Sequence, residues 1–151
     1  MLEHGIDVHA LEDYAIRISC QNGYYEIAKM LIEYGADIHV NKDIAFIKSA
    51  FYGHYNIVKL LLGTGIDTSA FDLALFWASD NNYYDIVKLI IESSTNIHKE
   101  YDRGFINANA VMNGNCDIVK LFIEYGPISI RIMIGFCYMA RGKGITMSLN
   151  Y

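Results

Sequence analysis

Residues 53–67 read GHYNIVKLLLGTGID. The same line stands earlier as GYYEIAKMLIEYGAD (23–37) and returns as NYYDIVKLIIESSTN (82–96) and GNCDIVKLFIEYGPI (114–128). The isoleucine that opens the hydrophobic run falls at Ile27, Ile57, Ile86 and Ile118, in steps of 30, 29 and 32, and a lysine follows at Lys29, Lys59, Lys88 and Lys120 with the same steps. A fixed period of this size is the signature of a stacked repeat, in which no unit can bury its apolar sides alone.

Within the block the apolar residues sit at offsets 0, 1, 3, 4 and 5, as in Ile57, Val58, Leu60, Leu61 and Leu62. That is a helical period with a broad apolar face, suited to a helix held between two neighbours, while the lysine lies on the polar side. Glu26, Asp85 and Asp117 precede the isoleucine, where a carboxylate meets the positive end of the helix dipole. Gly35, Gly65 and Gly126 follow, at the left-handed residue that ends many helices. Upstream lies a second helical pattern, DYAIRISCQN (13–22), DIAFIKSAFY (43–52) and DLALFWASDN (72–81). Asp13, Asp43 and Asp72 are placed as N-caps. Ala15, Ala45 and Ala74, with Ser19, Ser49 and Ala78, keep side chains short where two helices approach. Gly23, Gly53 and Asn82 supply the left-handed turn between the two helices. Each unit is a helical hairpin plus a short link.

These residues resemble an ankyrin repeat: a helix, a Gly-His or Gly-Tyr turn, the E-I-A-K-M-L or N-I-V-K-L-L run, then G-A-D-I-H. The thirty-residue spacing and the Ile, Asn and Tyr richness are most similar to the short ankyrin repeats abundant in giant DNA viruses of amoebae. The resemblance implies an all-α solenoid of stacked helical hairpins with short β-turn links, in one domain over residues 1–151. A partial repeat occupies 1–9, repeats follow at about 10–39, 40–69, 70–98 and 99–129, and a degenerate cap covers 130–151. Three departures stand out. Ankyrin repeats usually run to about 33 residues, so the fingers here are shortened. The familiar Thr-Pro-Leu-His opening is replaced by YAIR (14–17), IAFI (44–47) and LALF (73–76). The fourth opening, FINANAVM (105–112), puts Asn107 and Asn109 where apolar residues belong.

Composition narrows the function. The 151 residues carry a formal net charge of -5, against the clustered positive charge that nucleic acid or an anionic membrane surface demands. No apolar run reaches the roughly eighteen residues of a membrane span. Cys20, Cys116 and Cys137 form an odd set without metal-ligand spacing, which reads as reduced thiols in a cytoplasmic setting, the host cytoplasm for a viral chain. His9, His39 and His98 share one repeat position, but helices stacked about 8 to 10 Å apart hold successive imidazoles too far apart for one metal ion. End-of-helix hydrogen bonding is the expected role. Phosphate-loop, dinucleotide and zinc-protease motifs are lacking, and no Cys–His–Asp set supports catalysis, so neither a cofactor nor a metal is expected.

By the resemblance, partners are held by the fingers and by the exposed end of the first helix, on the concave side. Carried over residue by residue, those positions include Phe51, Tyr52, Phe71, Asp80, Asn81 and Tyr101. Aromatic side chains dominate binding hot spots; the same rings could equally fill space left by shortened fingers. The expected function is a non-enzymatic module that binds a partner protein, a host protein for a viral chain. The alternative is a truncated or self-associating ankyrin fragment with a structural role only, its uncapped ends stacking on other repeats.

Overall fold

The computed structural model describes residues 9–93 and 113–125. Residues 1–8 of the partial repeat, His98, Tyr101, the FINANAVM opening, Gly126, Cys137 and the 130–151 cap lie outside the described residues. Those described form α1 (Ala10–Asn22), α2 (Tyr25–Glu33), α3 (Val40–Phe51), α4 (Tyr55–Leu62), α5 (Thr68–Asp80), α6 (Tyr84–Ser93) and α7 (Cys116–Tyr125), with no strand among them. The chain comprises two compact units, Met1–Ala78 and Ser79–Tyr151.

In the first unit α1 packs on α2 and α3 on α4, while α1 also packs on α3 and α2 on α4. Like helix lies beside like helix, as a stack of hairpins requires. Ile16, Cys20 and Ala28 face Ala45, Phe46, Ala50, Val58 and Leu61 in a core exposed by 1% or less. An eight-residue helix such as α4 is far below the roughly 12–15 residues that hold together alone in water. Burial supplies the difference, at about 1.5–3 kcal/mol for each fully enclosed Leu, Ile, Val or Phe. Where helices meet closely the side chains are small: Ala45, Ala74 and Ala78 are buried, as is Ser49, whose hydroxyl donates to the Phe46 carbonyl at 2.8 Å.

The turns follow the sequence reading. Gly23 and Gly53 have φ of 79 and 81°, and Asn82 takes the same left-handed geometry at 61°. Gly35 and Gly65 end α2 and α4 at 89 and 86°. Gly23 has a second reason to lack a side chain, because a Cβ there would stand 2.7 Å from Cε1 of His54.

Asp13 and Asp43 do something other than cap. Asp13 and Asp43 are 4% and 2% exposed and sit at φ of 52 and 57°, outside helical geometry. Asp43 accepts from His39 Nδ1 at 2.6 Å and from the backbone N–H of Asp67 at 3.0 Å. Asp13 repeats both contacts, with His9 at 3.0 Å and the N–H of Asp37 at 2.8 Å. Each carboxylate therefore ties the start of its own hairpin to the link that follows that hairpin, 24 residues on, instead of closing the first turn of its helix. Left-handed backbone turns the carboxylate away from its own N2 and N3 amides, which a capping residue must reach. His9 and His39 hydrogen-bond at the start of the following helix, through these aspartates.

A second departure concerns the repeated isoleucine. Ile57, Ile86 and Ile118 are 1%, 2% and 0% exposed, but Ile27 is 45% exposed. In the first unit Ile57 is covered because α4 packs on α2, and Ile27 holds the same position on α2 itself, whose described helix neighbours are α1 and α4.

In the second unit α6 packs on α7. Ile86, Val87, Ile90 and Ile91 form its core with Ile118, Val119, Leu121 and Phe122. Polar ties here join one repeat to the next. Asn115 Nδ2 donates to the Ser79 carbonyl at 2.6 Å, Asn113 Nδ2 to Asp80 Oδ1 at 2.8 Å, and the Tyr125 hydroxyl to Glu92 at 3.2 Å. That last bond to a carboxylate raises the Tyr125 pKa, since losing the phenolic proton would bring two negative oxygens together.

Candidate functional site

The helix α3 ends in Phe51, half-buried, and its C-cap Tyr52, 43% exposed. Their rings meet edge-on at 4.8 Å between centroids. Phe51 then meets Trp77 of α5 at 5.0 Å, and Trp77 meets Phe76 at 4.9 Å, both edge-on. Edge-to-face pairs at such distances add about 0.5–1.5 kcal/mol each beyond their burial, so the rings hold one another in place. Lys48, one turn back on α3, sets its Nζ 5.8 Å from the Phe51 centroid and 5.9 Å from that of Tyr52. A cation over two ring faces fixes the lysine stem across the aromatic shelf.

The shelf continues into the preceding repeat. Tyr52 stacks on the His54 ring at 6.3 Å and 23°, and His54 Nε2 lies 2.9 Å from the Gln21 carbonyl. A carbonyl can only accept, so His54 carries its proton on Nε2. The result is a band at the C-terminal ends of α1, α3 and α5, with Gln21, His54, Tyr52, Phe51, Trp77 and Phe76 in contact order. It is anchored at one end by a histidine packed on Gly23.

Two of the six expected partner-binding residues, Phe51 and Tyr52, are thus joined in one feature. Phe71 is not part of it: its ring lies 5.5 Å from Phe46, a core side chain with 0% exposure, so it extends the core toward the finger. Asp80 and Asn81 are exposed in the second unit, Asp80 accepting from Asn113. Tyr101 lies outside the described residues. Trp77 and Phe76 are the residues that sequence reasoning left out. The aligned segments carried a signal for Trp77: it falls one turn before Asp80 and Asn81, on the helix face that Lys48 occupies in the repeat before.

The thiols differ sharply. Cys20 is buried, and burial pushes its pKa up to about 12, whereas Cys116 is exposed at the start of α7. An iodoacetamide time course on the native chain at pH 8, read by peptide mass spectrometry, should label Cys116 and leave Cys20 unmodified. A thiolate is the nucleophile, and Cys20 forms almost none. The unfolded thiol ionises near 9.0, so the neutral buried form contributes its full stability below that pH and loses it as pH rises toward about 12. A Cys20→Ala chain should show a flatter fall in stability over that alkaline window.

Among the described residues, no cluster of three metal-ligating side chains occurs, and no helix is long and apolar enough to cross a membrane. No curated protein matches the chain. A family model for ankyrin repeats in three copies matches residues 1–72 and again residues 16–101. Those overlapping matches agree with the register in which α1 lies on α3 and α2 on α4, and the chain belongs to the ankyrin repeat family.

Proposed function

We propose that this chain binds a partner protein across the aromatic band formed by Phe51, Tyr52, Trp77 and Lys48. Ankyrin repeats generally serve as protein–protein interaction modules and generally lack catalytic activity, which sets the class. The observation that carries the finer reading is Tyr52, 43% exposed and buttressed on both sides by Phe51 and His54. A ring fixed by its neighbours loses little conformational entropy when a partner covers it, which is why rigid aromatics serve as anchors. Lys48 beside it favours a partner with a carboxylate next to an apolar side chain, within a chain whose own net charge is -5.

Affinity enrichment from expressing cells, with the wild-type chain and a Tyr52→Ala/Trp77→Ala chain as paired baits, tests this reading. Partners retained by the wild type should weaken by about thirtyfold or more in the variant, the loss expected for truncating hot-spot aromatics. Far-UV circular dichroism matching the wild type shows that the fold is kept. An identical partner set at identical affinity would remove the band from consideration.

A further inference from the structure

The links that enter α3 and α5 begin alike and then turn with opposite hand. Asp37 and Asp67 each accept the backbone N–H two residues on, at 2.8 and 2.9 Å. Six steps then separate Asp37 from Asp43, but only five separate Asp67 from Asp72. In the longer link Asn41, Lys42 and Asp43 turn left-handed together, at φ of 54, 59 and 57°. That turn is closed twice, by the Asp43 N–H on the His39 carbonyl at 3.4 Å and by His39 Nδ1 on Asp43 Oδ1 at 2.6 Å. The first repeat has the same pattern, with Leu11 and Asp13 at 55 and 52° and the His9 ring on Asp13. The shorter link carries Ser69 in place of His39, and α5 runs right-handed, with no positive φ from Ser69 to Asp80. One repeat position thus shows both hands within a single chain.

We infer that the entry turn of α3 is a two-state hinge, held left-handed by the His39–Asp43 clasp and released to the right-handed form that α5 already shows. Left-handed backbone crowds Cβ against the following carbonyl; Asn and Asp tolerate this, whereas a lysine such as Lys42 is ill suited to it. Backbone of this kind persists only while its surroundings hold it. Here the hold is Asp43, whose second oxygen also accepts the Asp67 N–H at 3.0 Å. Opening exchanges these bonds for relaxed backbone, so the two forms compete. An open groove of about 490 Å³, lined by His39, Lys42, Asp43, Gly65, Asp67 and Ser69, gives the turn room to invert. The His39 side chain is 48% exposed, so a partner group can reach its ring. A group that takes His39 away from Asp43 binds the open form and shifts the balance toward it. The hinge uses none of the residues of the aromatic band.

NMR of the full chain tests it, reading φ-dependent couplings at Asn41 and Lys42 and amide exchange at Asp67. The wild type should show positive φ at both residues and a protected Asp67 amide. Lys42→Gly suits the left-handed form and disfavours the right-handed one, so Asp67 exchange should slow about tenfold. His39→Ala should speed that exchange about tenfold or more and bring Asn41 and Lys42 to negative φ. A wild type with negative φ at Asn41 and Lys42 overturns the inference, as does a Lys42→Gly chain whose Asp67 exchange is unchanged or faster. Those two measurements stand whether or not His39→Ala folds. A folded His39→Ala chain that keeps positive φ at both residues also overturns it, since the clasp then does not set the hand of the turn.

Discussion

Phe46→Ala should lower the unfolding free energy by about 3–5 kcal/mol, the range for truncating an enclosed aromatic ring. Phe46 is 0% exposed, sits on the inner face of α3, and meets Phe71 at 5.5 Å near the finger that leads into α5. Removing it opens a cavity between two neighbouring repeats, and in a linear stack the interface term carries stability that single hairpins lack. Guanidinium denaturation gives the magnitude, and amide exchange gives the location. Protection should fall first in α3 and α4, with α6 and α7 affected least. Phe46→Leu is the companion measurement, keeping most of the volume at a cost of about 1.5 kcal/mol or less. If Phe46→Ala costs no more than Phe46→Leu, the inner face of α3 is not packed as described.

The fold was legible because a stack writes its packing repeatedly. One copy of I-V-K-L-L could be any amphipathic helix, but copies at Ile27, Ile57, Ile86 and Ile118 fix the period, and with it the need to stack. The left-handed turns at Gly23, Gly53 and Asn82 were legible for the same reason, since only residues tolerant of positive φ recur there. Ile27 escaped this logic. Repeat register tells which face a residue occupies, whereas its burial depends on whether a neighbour lies on that face. The site was legible only in part because burial of rings depends on contacts between repeats that no alignment of repeats displays. Phe51 and Phe71 are both aromatic and both fall at expected partner-contacting positions, yet one leads into the exposed Tyr52 and the other into the buried Phe46. Trp77 is half-buried and meets Phe51 across the repeat boundary, a pairing set by the stack geometry.

The aspartates separate two reasons for one residue type, and three substitutions at Asp43 pull them apart. Its backbone is left-handed at φ 57°, a geometry that costs most residues about 1–2 kcal/mol but suits Gly and is tolerated by Asn and Asp. Its side chain bonds to His39 and to the N–H of Asp67, and a hydrogen bond to a charged group contributes about 1.5–3 kcal/mol. Asp43→Ala loses both contributions and should cost about 3 kcal/mol or more. Asp43→Gly relieves the backbone but leaves the Asp67 amide without its acceptor, for about 2 kcal/mol. Asp43→Asn keeps the backbone tolerance and an amide oxygen for that N–H, and should cost about 1 kcal/mol. Costs of about 2 kcal/mol at Gly and about 1 kcal/mol at Asn in thermal or chemical denaturation identify a carboxylate that ties the start of its hairpin to the link that follows it. A capping aspartate would give the same order with smaller steps, because at an N-cap Gly costs only a few tenths of a kcal/mol and Asn is as good as Asp. Equal stability of Asp43→Asn and the wild type, with Gly costing only a few tenths of a kcal/mol, would return Asp43 to the role of a cap.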